Sequence, residues 1–392
     1  MDIPYNELQR WLAGSVSLTY ADGYPEEDRI DEALLRESVE LARAAEIAII
    51  FAGLPDDFES EGFDRLHISM PEPHNRLIEE VCRIQPNTIV VLFNGSVVAM
   101  PWIDGPKAIL EAGLPGQAVG SALVDILSGD RNPSGKLAET FPVRLKDTPA
   151  YLNYPGESHK VYYGEGLFVG YRYYDKKKIK PLFPFGYGLS YTTFEYTGLH
   201  TNKTEIAAGE TLEVTVTVRN SGTRAGQEVV QLYLHALSSE FVRPIKELKA
   251  FSKVALGPGE SKDVHMILQA RDFSIYDVER QTWHLEGGKF EILIGSSSDH
   301  LLLSTTVTAK EDPQFAVPIF SRMSPIKQFL RYPQSRQVLA QALTGNPESD
   351  LFLGADKLFT SIPIGKLVAL GILPEEDVDT IITQVKQAFQ PE

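Results

Sequence analysis

The stretch "IAIIFAGLPDDFESEGFDR", residues 47–65, joins a purely apolar run to a loop that is rich in carboxylates. An uninterrupted apolar run of this length is typical of a parallel strand that is buried on both faces. Ligands of open parallel sheets bind outside the carboxyl ends of the strands. The sequence therefore predicts a site in the acidic loop that follows this strand.

Helical and strand patterns alternate on either side of this stretch. Leucines at helical spacing in "RIDEALLRESVELARAAE" predict a helix before the strand, and "PEPHNRLIEEVCRIQ" predicts one after it, with prolines in its first turn. "NTIVVLFNG" and "KAILEAGLP" predict two more strands, and "GQAVGSALVDILSGD" predicts a helix that ends at Gly129. This order indicates parallel strands joined by right-handed crossovers. We expect an open α/β/α sandwich over residues 1–150.

The pattern changes to short alternating strands at about residue 193. "TLEVTVTVRNSG", "EVVQLYLHA", "KDVHMILQ" and "GKFEILIGSSS" alternate apolar and polar residues and are separated by turn signals. They predict an immunoglobulin-like antiparallel β-sandwich over residues 193–312. Residues 151–192 are rich in Tyr, Pro and Gly, and we expect a connector whose aromatics pack against both domains.

Helical spacing returns in the last segment, residues 313–392, which we predict to be a short helical tail. In "PEEDVDTIITQVKQAF" the apolar residues share one face, with a proline and acids at the first turn. That face must be buried against something. The apolar stretch "SIPIGKLVALGIL" is the expected partner within the chain, and a contact between subunits is the alternative.

Composition excludes several classes of protein. The 392 residues are 43% hydrophobic, which is enough for packed cores, and the formal charge of -16 argues against a nucleic-acid partner. A lone cysteine, Cys82, favours a reducing cytoplasm, and the absence of a signal sequence or of 18 consecutive apolar residues predicts no membrane association. "GLPGQAVG" lacks the dinucleotide and phosphate-loop fingerprints, so no cofactor is predicted.

Several motifs then occur in the order found in one family. They are "ESEGFDR" (59–65), "IVVLFNGSVVAMPW" (89–102), "AILEAGLPGQAVGSALVDILSGDRNPSGKLAETFP" (108–142), "VGYRYYDKKKIKPLFPFGYGLSYTTFEY" (169–196), "AGQEVVQLYL" (225–234), "RPIKELKAFSKVALGPGES" (243–261) and "WHLEGGKFEILIGSSS" (283–298). The sequence resembles the C-terminal half of glycoside hydrolase family 3 enzymes, the β-glucosidase and β-xylosidase group. The first four motifs resemble the family's α/β sandwich domain, and the rest resemble its fibronectin type III-like module.

The resemblance implies that the catalytic residues come from two different domains. In such enzymes a TIM barrel carries the aspartate nucleophile, and the sandwich domain lends the acid/base glutamate from the loop that matches "ESEGFDR". That role falls on Glu61, and Glu59 is the nearest competitor. We expect the neighbouring carboxylates to favour a proton on Glu61 by repulsion, and Arg65 to pair with Asp64. A plain solvated loop is the alternative, and a calcium site is a weaker one because the spacing does not follow the calcium loop.

Two departures from the family pattern limit the function. The sequence contains no Ser-Asp-Trp stretch and no segment long enough for a barrel, and the sandwich is predicted to be truncated at its N-terminus. The first hypothesis is therefore part of a retaining β-glucosidase-like hydrolase, which acts on terminal β-linked glucosyl residues, needs a separate TIM-barrel subunit and is inactive alone. The alternative is a noncatalytic scaffold or carbohydrate-interaction protein.

Overall fold

The computed structural model describes residues 2–14, 16–315, 318–349 and 357–389, and the chain divides into two compact units, residues 1–310 and 311–392. The helices are α1 Pro4–Leu12, α2 Glu32–Ala44, α3 Glu72–Ile84, α4 Val119–Ser128, α5 Tyr171–Lys177, α6 Ala270–Phe273, α7 Ile326–Arg331, α8 Pro333–Thr344, α9 Lys357–Ser361, α10 Lys366–Ala369 and α11 Glu375–Ala388. The strands are β1 Ala48–Gly53, β2 Thr88–Phe93, β3 Ala108–Glu111, β4 Phe194–Thr201, β5 Glu205–Ile206, β6 Thr211–Asn220, β7 Gly226–Ala236, β8 Glu247–Leu256, β9 Ser261–Gln269, β10 Ile275–Asp277, β11 Thr282–His284, β12 Gly288–Gly295 and β13 Leu301–Ala309.

The first unit begins with a parallel sheet of order β1-β2-β3, which confirms the three predicted strands. Asp31 caps the start of α2, and its carboxylate accepts hydrogen bonds from the amides of Ala33 and Leu34. Gly129 caps the end of α4 in the left-handed conformation, at φ 82°. The main core of this domain lies between the sheet and its helices: Leu35, Ala42, Ile50, Ala52, Met70, Leu77, Ile78, Val81, Val90, Leu92, Val98, Met100, Trp102 and Phe141.

The second part of this unit is the predicted antiparallel sandwich. A five-stranded sheet of order β5-β13-β12-β7-β8 faces a three-stranded sheet of order β4-β6-β9, and β10 and β11 form a separate hairpin. Alternate residues of β6, from Leu212 to Val218, are fully buried in a core that both sheets share. The two layers therefore follow from the period of two in the sequence.

The connector divides at about residue 170. Its second half packs as predicted: Phe141 and Phe183 form an antiparallel bridge to the α/β domain, and the Tyr171 hydroxyl accepts the Leu248 amide of β8 at 2.7 Å. Its first half differs from the expectation, because its large side chains are exposed: Tyr151, Leu152, Tyr154, Val161, Tyr162, Tyr163, Leu167 and Val169. The boundaries at residues 150, 192 and 312 stay predictions.

Residues 311–392 form a helical unit with its own core. Val378, Ile381, Ile382 and Val385 of α11 are buried, together with Ile364, Leu367 and Leu373 from the predicted partner stretch. The Arg322 guanidinium also binds the carboxylates of Glu375 and Asp379, each at 2.5 Å. The prediction that the last helix docks within the chain is confirmed.

Candidate active site

The acidic loop leaves the carboxyl end of β1 and closes into a tight turn at Ser60–Phe63. The two ends of this turn form an antiparallel bridge, and the Gly62 amide donates to the Ser60 hydroxyl at 3.2 Å. Glu61 lies at the tip of the turn and is exposed. Gly62 does not adopt a left-handed conformation, and a β-carbon there would meet only the Ser60 Oγ, at 3.7 Å. The glycine therefore leaves open space beside Glu61 rather than relieving backbone strain.

Glu59, the competing carboxylate, is committed to the loop that follows β2. The Gly95 amide donates to its Oε2 at 2.6 Å, and the Ser96 hydroxyl donates to its Oε1 at 3.1 Å. A β-carbon on Gly95 would lie 2.9 Å from the same Oε1, so an alanine there would force the carboxylate to shift. Glu59 thus joins two loops at the carboxyl edge of the sheet and has little freedom to reach a substrate.

Arg65 completes this contact between the two loops. Its Nη1 donates to the Ser96 hydroxyl at 2.8 Å and to the Val97 carbonyl at 3.1 Å. Burial lowers the pKa of Arg65, while Glu59 and Glu139 act in the opposite direction. The predicted pairing of Arg65 with Asp64 is wrong, because the guanidinium turns inwards to residues more than 30 positions away. We call Glu59, Arg65, Gly95 and Ser96 the loop clasp.

A half-buried carboxyl group, that of Glu111, lies at the end of β3 and was missed by sequence reasoning. Burial raises the pKa of Glu111 to about 7, against the opposing effect of hydrogen bonds from the Gly113 amide and Asn94. The Gly113 amide donates to Oε1 at 3.1 Å, whereas Oε2 is buried without a partner. Burial likewise raises the pKa of Glu139, and the charge of Glu59 adds to this effect. The one signal in the sequence was an acid that closes the apolar run "AIL".

Exposed apolar side chains border the turn. Phe63 and Leu66 belong to the acidic loop itself, and Leu66 is 91% exposed. Leu114 approaches Gly95 of the clasp and is 78% exposed. Tyr154 of the connector is half exposed, and a hydrogen bond to Asp64 raises its pKa. We call these four side chains the apolar rim.

Comparison with known proteins defines the class. Residues 3–191 match the model of the "Glycosyl hydrolase family 3 C-terminal domain", and residues 228–298 match that of the "Fibronectin type III-like domain". Together the two matches cover more than half of the chain. The chain belongs to glycoside hydrolase family 3, and it carries that family's C-terminal α/β domain followed by its fibronectin type III-like domain.

The relatives are β-glucosidases. The chain is 53% identical over 308 residues to "Thermostable beta-glucosidase B" of Acetivibrio thermocellus. These aligned residues cover 78% of this chain and 41% of that protein. It is 43% identical over 280 residues to "Probable beta-glucosidase I" of Aspergillus oryzae, covering 70% of this chain and 33% of that protein.

Solved structures agree with this assignment. The GH3 β-glucosidase of Bifidobacterium adolescentis matches with a TM-score of 0.78 at 38% identity, covering 85% of this chain and 49% of that one. The β-glucosidase of Kluyveromyces marxianus in complex with glucose matches with a TM-score of 0.67 at 39% identity, covering 72% of this chain and 34% of that one. The chain spans about two fifths of the first curated relative.

In the described part of the chain, no helix has the length and apolar character that crossing a bilayer requires. Nor do three or more His, Cys, Asp or Glu side chains of the described ranges come together in a way that would hold a metal ion. The cytoplasmic location inferred from Cys82 stays a prediction.

Proposed function

We propose that this chain is the C-terminal part of a retaining β-glucosidase and that Glu61 is its general acid and base. The observation that carries the proposal is the contrast between two neighbouring carboxylates at the carboxyl edge of the sheet. Glu59 is held by the Gly95 amide and the Ser96 hydroxyl, whereas Glu61 projects from the tip of the turn and is exposed. Of these two carboxylates, only Glu61 is free to face a sugar brought by a second module.

The loop clasp fixes the position of the turn that carries Glu61. Glu59 and Arg65 flank the turn at 60–63 in the sequence, and both bind Ser96, so the two ends of the turn are anchored to the same loop. A general acid must be held within hydrogen-bond reach of the oxygen that it protonates. We infer that the clasp positions Glu61 and takes no part in the chemistry itself.

The proposed reaction needs a nucleophile from outside the residues described. In a retaining glycosidase a carboxylate attacks the anomeric carbon while the acid, about 5–5.5 Å away, protonates the departing oxygen. Glu61 would supply that proton and then remove one from the water that releases the glucosyl group. A TIM-barrel module, as in the resemblance stated above, would supply the attacking aspartate.

The apolar rim supports docking of such a module beside Glu61. Exposed apolar side chains that cluster together mark interaction surfaces. A module that covered Leu66, Leu114 and Tyr154 would exclude water from the turn, and a drier site favours the protonated form of a carboxyl group. The chain alone lacks this cover, so we expect it to be inactive by itself. The glucosyl substrate is proposed because the curated relatives are β-glucosidases.

Complementation tests the proposal. The chain is mixed with the part of the Acetivibrio thermocellus relative that precedes the matched region, and hydrolysis of 4-nitrophenyl β-glucoside is measured. We expect turnover only in the mixture, and Glu61→Gln should lower it by about 100-fold or more. Asp57→Asn, an exposed acid of the same loop, is the matched control and should leave the rate within about twofold.

Two results would contradict the proposal. Turnover by the purified chain alone would show that the nucleophile does not need a second module. An unchanged rate in a Glu61→Gln mixture that is otherwise active would remove Glu61 from the mechanism. A mixture that assembles but stays inactive would favour the noncatalytic alternative.

A further inference from the structure

A hairpin of the sandwich domain carries an aromatic pair that the proposed reaction does not use. Strands β10 and β11 form a sheet of their own, and Tyr276 lies directly opposite Trp283 in their antiparallel register. Side chains that lie opposite each other in an antiparallel pair share one face of the hairpin. The two ring centroids are 5.6 Å apart, with an angle of 71° between the ring planes. One face of this hairpin is therefore aromatic.

Both rings are open to solvent. Tyr276 is 45% exposed and Trp283 is 42% exposed, whereas Asp277 and His284 on the opposite face of the hairpin are buried. Within the described residues, the Tyr276 hydroxyl and the Trp283 indole N–H make no hydrogen bond to the protein. Aromatic rings with one polar end are typical of binding surfaces, because they offer apolar area and a hydrogen bond together.

A cation lies beside this pair with its donors unused. Arg271 of α6 lies over the indole ring, and its guanidinium carbon is 4.1 Å from the ring centroid. A guanidinium that stacks on an aromatic ring keeps its N–H donors at its edge, where they can form hydrogen bonds. Arg280 of the same hairpin instead binds the Asp277 carboxylate, at 2.8 Å. Over the described ranges Arg271 has no acid as a partner, so its donors are available to a ligand.

The elements that carry these side chains are held in place by the sandwich. Phe273 of α6 is fully buried in the sandwich core, and Leu285, directly after β11, is also buried there. The loop between β10 and β11 is closed by Asp277, whose carboxylate accepts the amides of Glu279 and Arg280 at 2.9 and 3.1 Å. A preformed surface loses less conformational freedom when it binds a ligand, so these contacts favour binding.

We propose that Arg271, Tyr276 and Trp283, called the aromatic platform below, form an accessory binding site for β-linked glucan oligosaccharides. The C–H face of a glucose ring is apolar and stacks on aromatic rings, while the hydroxyls at its edge accept hydrogen bonds from donors such as a guanidinium. Arg271 closes one face of Trp283, so a sugar ring would contact the remaining aromatic surface and bind the guanidinium with its hydroxyls. The formal charge of -16 disfavours polyanionic ligands, so a neutral ligand rich in hydroxyls suits the site.

The identity of the sugar rests on the proposed function, since β-linked glucose is the substrate class proposed above. The inference extends that function from a terminal glucosyl unit to oligomeric substrates, which the platform would hold on the protein. Arg271, Tyr276 and Trp283 belong to the sandwich and take no part in the chemistry at Glu61.

The experiment measures binding to this chain alone, so it needs no second module. Saturation-transfer NMR detects binding of cellohexaose and of laminarihexaose, and titration gives their dissociation constants. Trp283→Ala should raise the dissociation constant at least about tenfold. Arg271→Gln, which keeps both rings, should raise it about threefold or more because it removes charged donors. Phe251→Ala removes another exposed aromatic side chain of the sandwich, on β8, and is the matched control that should leave the affinity unchanged.

Several results would overturn the inference. Absence of binding of either hexasaccharide would do so, and so would binding that Trp283→Ala and Arg271→Gln leave unchanged. If circular dichroism shows that Trp283→Ala does not fold, Arg271→Gln decides the question by itself. Binding of decaproline at these side chains in place of the sugars would assign the platform to a protein partner and would also overturn the inference.

The two proposals fail separately. Binding of a hexasaccharide at the platform, without hydrolysis in the complemented mixture described above, would sink the proposed function alone. Hydrolysis in that mixture, with no binding of a hexasaccharide at the platform, would sink the present inference alone.

Discussion

Replacing Glu111 by Gln should stabilise the α/β domain relative to the unaltered chain. This gain in stability should be larger at neutral pH than at acidic pH. Burial raises the pKa of Glu111 from 4.5 to about 7 in the folded chain. Its Oε2 lies buried without a partner, so the protonated form is the one that the fold accommodates. In the unfolded chain the carboxyl group is exposed to water and ionises at its ordinary pKa.

The sign and size of the effect follow from this difference. Below pH 4.5 the Glu111 carboxyl group is protonated in both the folded and the unfolded chain, so it does not change the free energy of unfolding. As the pH rises from 4.5 to 7, the unfolded chain ionises while the folded chain does not, and stability falls by about 1.4 kcal/mol per pH unit. The full window corresponds to about 3 kcal/mol, and partial exposure of the side chain reduces this to about 2 kcal/mol. Glutamine has no charge to lose, so the variant should lack this decline.

Urea unfolding at pH 4.5, 5.5, 6.5 and 7.5 measures the difference. Trp102 is buried in the core of the α/β domain, where its indole donates to Asn75 at 2.9 Å. Trp283 of the sandwich is replaced by Phe in every chain compared, so that tryptophan fluorescence reports on the α/β domain. Glu37→Gln, on the exposed face of α2, is the control for removing one negative charge. Parallel pH profiles for the Glu111→Gln variant and the unaltered chain would refute the reasoning.

Three further outcomes follow from the same contacts. Ser96→Ala removes the hydroxyl that links the two loops and leaves half-buried Arg65 with one acceptor fewer, so urea unfolding should show a loss of about 1–2 kcal/mol. An unaffected midpoint would argue against the clasp. Gly62→Ala should change the free energy of unfolding by less than about 1 kcal/mol. Gly95→Ala should lower it by about 1–3 kcal/mol, because the new β-carbon would lie 2.9 Å from a carboxylate oxygen of Glu59. Equal effects of the two substitutions in thermal unfolding would contradict this. Ile381→Ala should lower the free energy of unfolding of residues 311–392 by about 2–5 kcal/mol, as measured by circular dichroism. If the unfolding transition seen by Trp102 fluorescence lost as much stability, the two units would not unfold separately.

The sequence predicted the elements better than it predicted their contacts. Parallel strands have to be apolar on both faces, so β1, β2 and β3 are visible as short apolar runs, and the acidic loop necessarily falls at their carboxyl edge. The alternation in β6 specified the sandwich in the same way. The amphipathic period of α11 predicted which face is buried, and the partner stretch was the nearest apolar one.

Contacts between loops were harder to predict because they depend on how the crossovers bring distant residues together. Arg65 was expected to pair with its neighbour Asp64, and it instead reaches Ser96, 31 positions away. Glu111 looked like the end of an ordinary strand, since burial by residues from other elements is what raises its pKa. The connector tyrosines were expected to be covered, and the exposure of Tyr162 and Tyr163 shows that aromatic content alone does not locate a packing partner.

The assignment of Glu61 as the acid and base is the central claim, and azide rescue tests it most directly. Glu61→Ala is combined with the barrel-bearing portion of the relative, and 2,4-dinitrophenyl β-glucoside is supplied because its leaving group needs no proton. The glucosyl intermediate should then accumulate, and azide should restore turnover and yield β-glucosyl azide, since azide needs no general base. Absence of the azide adduct in a mixture that hydrolyses the substrate at the unaltered rate would contradict the account.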